Sequence, residues 1–200
     1  MPRDLAVAPS PGEPGLIGPN AVLQMLPVIE ARLGVTATTA FLARAGVIVP
    51  DGGSMICEAQ AARLHDALRA RFGARSGGLA AQAGRHTGNY ILTHRIPAPV
   101  QTMLRALPPA AAAALLSHAI ARHAWTFAGS GRFRRLSSWQ FALHDNPLIR
   151  GASSPIPLCR WHAAVFETLY RRLVHPGVRC REVACAATGD PACRFDLRVE

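Results

Sequence analysis

The chain is 200 residues long, 50% hydrophobic, and carries 22 basic against 12 acidic side chains, a formal net charge of +10. Every basic residue is Arg, so the absence of Lys excludes Schiff-base chemistry and a P-loop lysine, while the hydrophobic content excludes a disordered chain. No apolar run reaches the ~18 residues of a spanning helix, because His118, Arg122 and His123 interrupt the alanine-rich stretch 109–125.

Residues 1–19 hold five prolines and read as a flexible leader, leaving 20–200 as a single domain. They lack the basic-then-apolar order of a secretory signal, so export is not expected. Asn20 is placed to cap an apolar helix running to Leu33 and stopping at Gly34, with Pro27 kinking or dividing it. A second short helix covers 36–45, and 47–53 is a loop. Ser54 is expected to cap a helix through Phe72, inside which Cys57 packs as a small hydrophobe. Residues 73–78 read as a linker.

Residues 79–94 are helical by pattern, with Gly84 and Gly88 one turn apart on one face. That spacing admits either a closely packed helix or a flat ligand. Two more helices are predicted over 100–107 and 109–127, Pro108-Pro109 setting the first turn of the second. After Gly129-Ser130-Gly131 the pattern changes to strand character at 133–136 and 139–144, and the chain turns at 145–148. The arginines are scattered along the chain, Arg132 to Arg135 being the densest group. They read as a solvated surface, and no specific nucleic-acid partner is expected.

The C-terminal part carries the strongest chemical signal. Cys159 opens a helical pattern that stops at His175-Pro176-Gly177; beyond it lie Cys180, Glu182, Cys185 and Cys193. Thr188-Gly189-Asp190-Pro191 is a turn signal between two strand-like runs. A hairpin centred on Gly189 would oppose Cys185 and Cys193 with their Cβ atoms about 4.5–5.5 Å apart, which suits a shared metal or a disulfide. Glu182 reaches the same side through a turn or bulge, and Cys159 adds a donor from a distant element. Three thiolates and a carboxylate fit a closed structural zinc site, with Arg160, Arg179, Arg181 and Arg194 to offset its negative charge. Buried structural thiols or a Cys185–Cys193 disulfide fit the same spacing. The odd cysteine count, clustered in this way, suits a reducing cytoplasm.

The run Glu182-x2-Cys185-x7-Cys193, with Gly189-Asp190 in the turn and Arg194-Phe195 after it, resembles the C-terminal signature of the 4-vinyl reductase domain family. The run Gly84-Arg85-x-Thr87-Gly88-x-Tyr90-x-Leu92-x3-Arg95-Ile96-Pro97 is similar to the bacteriochlorophyll-pathway branch of that family. The resemblance covers roughly residues 20–199. It implies an α+β fold shared with small transport-particle subunits, a helical N-terminal part packed on a C-terminal antiparallel sheet, often as a dimer. It also implies a zinc-stapled hairpin whose ligands map onto Cys159, Glu182, Cys185 and Cys193, leaving Cys180 as a strand residue.

The family name implies reduction of a vinyl group on a chlorophyll precursor. Yet no Gly-x-Gly-x-x-Gly joins a strand to a helix here to hold a nicotinamide or flavin. The spacing Cys180-x4-Cys185-x7-Cys193 is not a ferredoxin spacing. The favoured expectation is a bacteriochlorophyll-biosynthesis protein that binds or delivers a magnesium tetrapyrrole of the divinyl protochlorophyllide type to magnesium chelatase or neighbouring pathway enzymes. The alternatives are an 8-vinyl reductase using an external reductant and a zinc-containing small-molecule sensing domain. A pocket is expected between the 79–94 helix, the 109–127 helix and the strand carrying Trp139. Gly84 and Gly88 would give a macrocycle room, and Tyr90, Trp125 and Trp139 would stack on it. His94 or His144 would ligate its magnesium, and Arg95 would pair with a propionate. The expected location is cytoplasmic, in solution or at the periphery of the photosynthetic membrane.

Overall fold

The computed structural model describes residues 15–200, so most of the expected leader lies outside the described residues. Residues 15–19 belong to the fold. Ile17 is fully buried in strand β1 (Leu16–Ile17), which pairs antiparallel with β2 (Ile56–Cys57). This pairing takes up the residues expected to open the next helix, so α4 (Glu58–Phe72) starts beyond Ser54, and Cys57 is exposed at its cap instead of packed inside. The pattern from Asn20 divides as expected, into α1 (Asn20–Leu23) and α2 (Leu26–Leu33). Pro27 sits in the first turn of α2, where its missing N–H has no intrahelical partner to lose. Gly34, at a φ of 79° that L side chains rarely adopt, turns the chain into α3 (Val35–Arg44).

The expected linker 73–78 is mostly helical. A 3-10 turn, Gly73–Arg75, leads directly into α5 (Ser76–His94), and burial of Leu79, Ala80 and Ala83 holds its first turns despite Gly77 and Gly78. Next come α6 (Ala98–Ala106) and α7 (Pro109–Arg122); the predicted 109–127 helix breaks at His123, and α8 (Trp125–Ala128) is a separate turn.

The C-terminal part forms a four-stranded antiparallel sheet in the order β3-β4-β6-β5, from β3 (Arg132–Arg135), β4 (Gln140–His144), β5 (Val178–Ala184) and β6 (Cys193–Val199). Helix α9 (Arg160–Leu173) links its halves and buries Trp161, His162, Val165, Phe166, Leu169, Tyr170 and Leu173. Those positions recur at helical spacing and make one wide apolar face. Phe166 packs edge-on against Phe141, Phe195 and Phe127 at ring separations of 5.1, 5.3 and 5.6 Å. Each fully buried Phe contributes about 1.5–3 kcal/mol, so this cluster is the main glue between α9 and the sheet. Tyr170 is anchored at its polar end, its hydroxyl donating to the Ser138 carbonyl at 2.5 Å.

On its other side α9 lies against α5. A Cβ added at Gly84 would run into the Trp161 carbonyl and stand 2.8 Å from the Ala164 Cβ; at Gly88 it would stand 2.6 Å from the Thr168 Cβ. Trp161 Nε1 donates to Thr87 Oγ1 at 3.2 Å between them. The two glycines therefore serve close helix packing.

Candidate metal centre

Four donors converge where the start of α9 meets the β5–β6 hairpin. One ligand atom from each of Cys159, Glu182, Cys185 and Cys193 lies within 4.8 Å of every other. Thiolates at ~2.3 Å from a tetrahedral zinc are about 3.8 Å apart, so the quartet has the right scale. All five cysteines are free, which removes the Cys185–Cys193 disulfide.

The local structure accounts for each position. In an unbroken strand, residues three apart face opposite sides. A register shift between Glu182 and Ala184 inserts an extra residue, and this bulge brings Glu182 to the side of Cys185. Past Ala184 the chain leaves the ladder: a 3-10 turn over Ala186–Thr188 ends at Gly189, whose φ of 98° closes the turn. The Asp190 carboxylate accepts from Cys185 N at 2.9 Å and from Thr188 Oγ1 at 3.0 Å, fixing Cys185 from behind. Cys159 precedes the first helical residue of α9, and its backbone N–H donates to Glu182 Oε2 at 2.8 Å.

The sulfurs also receive outer hydrogen bonds. Asn146 Nδ2 donates to Cys159 Sγ at 3.2 Å, while Leu148 N donates to Asn146 Oδ1 at 3.1 Å and sets the amide's orientation. Leu158 N donates to Cys185 Sγ at 3.4 Å. Such outer-shell donors are what a bound metal's ligands require. The remaining oxygen, Glu182 Oε1, is buried and has no hydrogen-bond partner. An orphaned carboxylate oxygen beside three sulfurs is costly unless a cation completes it. The quartet could hold a metal ion.

The titration behaviour points the same way. Hydrogen bonds from Cys159 and Cys193 push the Cys185 thiol far down; donating to Cys185 and Cys193, together with burial, pushes the Cys159 thiol up. Burial and then Cys185 raise the Glu182 carboxyl to about 8. Four acidic groups packed this closely cannot all be charged by themselves, whereas a divalent cation holds them all deprotonated. Cys180 lies in β5, half-buried, outside the quartet, and burial raises its thiol.

The expected ligand set is not brought together. Gly84 and Gly88 are covered by α9, and Trp139 packs on Tyr170 at 5.6 Å, so the predicted pocket between the helices and Trp139 is occupied by the protein's own side chains. Trp125 is half exposed in α8, and His144 ends β4 opposite Arg132. Only Tyr90, His94 and Arg95 meet: the Tyr90 and His94 rings are 4.6 Å apart, and the Arg95 guanidinium lies 5.8 Å from the Tyr90 ring centre. His94 and Arg95 line an open cleft of about 570 Å³ with Arg105 and Arg172.

Two features had no usable signal in the sequence. Glu58, buried, accepts from Ser130 N and Oγ, both at 2.6 Å, and from Arg150 Nη1 at 3.0 Å, tying α4 to the two loops that flank the β3–β4 hairpin. A second cleft, of about 860 Å³, opens between α2, α4 and α5.

A helical layer on a four-stranded antiparallel sheet, with a Cys/Glu quartet at the hairpin, is the architecture of a 4-vinyl reductase domain protein, and the family model of that domain matches residues 139–199. The whole chain aligns further. It is 50% identical over 184 residues to the bacteriochlorophyll synthase 23 kDa chain of Cereibacter sphaeroides, covering 90% of this chain and 89% of that one. It is 44% identical over 196 residues to the protein of the same name from Rhodobacter capsulatus, covering 96% and 91%. The chain belongs to the bacteriochlorophyll synthase 23 kDa chain family. Among solved structures, an Fe(II) unliganded H-NOX protein mutant from K. algicida superposes with a TM-score of 0.57 over 92% of this chain and 97% of that one. At 9% identity this is a likeness of fold alone.

Proposed function

We propose that this protein is an accessory of bacteriochlorophyll biosynthesis that binds or delivers a magnesium tetrapyrrole, of the divinyl protochlorophyllide type, to the enzymes of the pathway. The observation that carries this reading is the 50% identity to a bacteriochlorophyll synthase chain over 90% of the present one. The pathway's magnesium chelatase and neighbouring enzymes are the partners it would serve.

In this reading the Cys159, Glu182, Cys185 and Cys193 quartet holds zinc. Four protein donors close a tetrahedron, so the ion supplies a cross-link between α9 and the hairpin and leaves no open position for water or substrate. The orphaned oxygen of Glu182 supports that assignment. Asn146 and the Leu158 N–H orient the sulfurs, and Asp190 holds the turn.

The test is incubation of the purified protein with divinyl protochlorophyllide, with and without NADPH, followed by absorption and mass. A spectral shift without change of mass supports binding and delivery. A gain of two hydrogens with NADPH makes the protein a reductase, and no response to any magnesium porphyrin removes the reading.

A further inference from the structure

The pocket expected from sequence is filled, so the pigment needs another seat. We infer that the cleft between α2, α4 and α5 recognises the carboxylate edge of an amphipathic anion, with the arginines Arg32, Arg71 and Arg75 as its rim and Leu33, Phe72 and Leu79 as its apolar floor. This rests on the tetrapyrrole reading above and says where and by which groups the ligand is held.

The floor is built from the core outward. Leu79 is buried in the first turns of α5, and Phe72 is held by the Phe41 ring at 6.5 Å. The rim comes from three separate places: the last turn of α2, the last turn of α4, and the 3-10 turn between α4 and α5. Among the described residues, none of these three guanidiniums makes a hydrogen bond or ion pair; Arg71 lies 5.7 Å from the Phe72 ring centre. No acidic side chain lines the cleft. Three charges of one sign around an apolar floor make a surface complementary to a flat hydrophobic body with acidic substituents.

The cleft by His94 is less suited. It is smaller, about 570 against 860 Å³, and ligand pockets commonly measure about 300–1,000 Å³. Its polar groups are also engaged already. Gln101 Nε2 donates to the carbonyls of Leu92 and Ile96 at 2.5 and 2.8 Å, Arg105 Nε donates to the Gln101 carbonyl at 3.2 Å, and Arg95 stacks on Tyr90.

No His, Cys, Asp or Glu lines the larger cleft, so recognition there runs through the carboxylates and the ring face, with the magnesium unread. This distinguishes the seat experimentally. The full chain is titrated with magnesium protoporphyrin, with metal-free protoporphyrin and with the dimethyl ester of the magnesium compound, read by absorption and tryptophan quenching. The two acids are expected to bind alike and the ester at least tenfold more weakly. Arg71→Ala with Arg75→Ala is expected to weaken acid binding by about tenfold per arginine, the loss of one charge-assisted contact each. Arg71→Gln with Arg75→Gln, which keep polar stems, must show the same direction of loss. Arg105→Ala with Arg172→Ala removes equal charge from the other cleft and is expected to retain affinity. Binding by the parent chain that the Arg71 and Arg75 variants leave unchanged, or that only the Arg105 and Arg172 variant or removal of magnesium abolishes, overturns this seat and spares the carrier reading. No binding of any of the three porphyrins by the parent chain overturns both.

Discussion

Replacing Gly84 by Ala sets two effects against each other. In an exposed helix interior, Gly→Ala gains about 1 kcal/mol from backbone entropy and helix propensity. At Gly84 the new methyl would meet the backbone carbonyl of Trp161 and the Ala164 Cβ at 2.8 Å. Backbone cannot rotate away, so α5 and α9 must separate and lose packing. Overpacking of this kind costs up to about 3 kcal/mol or more, and the net expectation is a destabilisation of about 2 kcal/mol. For a chain this long that lowers the melting temperature by about 4–8 °C. At Gly88 the obstruction is the side chain of Thr168, 2.6 Å away at its Cβ, and trimming it should help. Gly88→Ala is therefore expected to cost less than Gly84→Ala, and Thr168→Gly should recover part of the loss in a double-mutant cycle with a coupling of about 0.5–3 kcal/mol. Urea unfolding followed by circular dichroism measures all four variants. A Gly84→Ala protein as stable as the parent, or stabilised by the full propensity gain, would show that this face is open and would sink the packing account.

The metal prediction is about one zinc per chain by elemental analysis; Cys185→Ala and Cys193→Ala should lose it, and Cys57→Ser and Cys180→Ser should keep it, so zinc retained by Cys185→Ala would remove the quartet. Glu58 lies below the ordinary carboxyl value: burial opposes this, but hydrogen bonds from Ser130 and Arg150 prevail. Its stabilisation is therefore present above the unfolded value and lost as pH falls through the lower folded one. Glu58→Gln should cost about 1–3 kcal/mol at pH 7, and an unchanged urea midpoint refutes the link. His65 and His162 are buried neutral, pushed down to about 3 and about 4, in each case chiefly by burial. The unfolded chain takes up these protons first, so stability present above pH ~6.5 falls on acidification, by about 2 kcal/mol per histidine at pH 5. His65 also buries an unpartnered Nε2, so His65→Leu should be near neutral at pH 7 and should flatten the acid slope; a slope unchanged in that variant refutes the assignment.

What could be read from the sequence was what depends on local pattern. The helix of Arg160–Leu173 shows its apolar face in its spacing, and Cys159, Glu182, Cys185 and Cys193 stood out because thiols at those intervals around Gly189 have few other uses. Even the need for a bulge at Glu182 follows from alternation along a strand. The failures share one cause. Gly84 and Gly88 looked the same whether a ligand or a helix faced them, and the facing residues, Trp161 and Thr168, lie some eighty positions away. The two-residue strands Leu16–Ile17 and Ile56–Cys57 carry no period of their own and exist only through each other. Arg32, Arg71 and Arg75 looked like scattered surface charge, because their common cleft is made by α2, α4 and α5 packing together.

These pieces are mechanically connected. The quartet fixes the residue before α9, through Cys159 Sγ and through its N–H on Glu182. From that anchor α9 runs between the sheet and α5, and the near-contact at Gly84 and Gly88 leaves α5 little freedom to slide along it. Helix α5 in turn carries Leu79 on the floor of the arginine-rimmed cleft at one end and His94 at the other. A position of α9 that is loose by an ångström would be passed to both ends of α5, because close-packed helices transmit displacement rather than absorb it. A closed metal site that touches no substrate still has a functional consequence on this view. It sets the geometry of a ligand seat on the far side of two packed helices, which explains why a chain with an extensive aromatic core would also keep a staple.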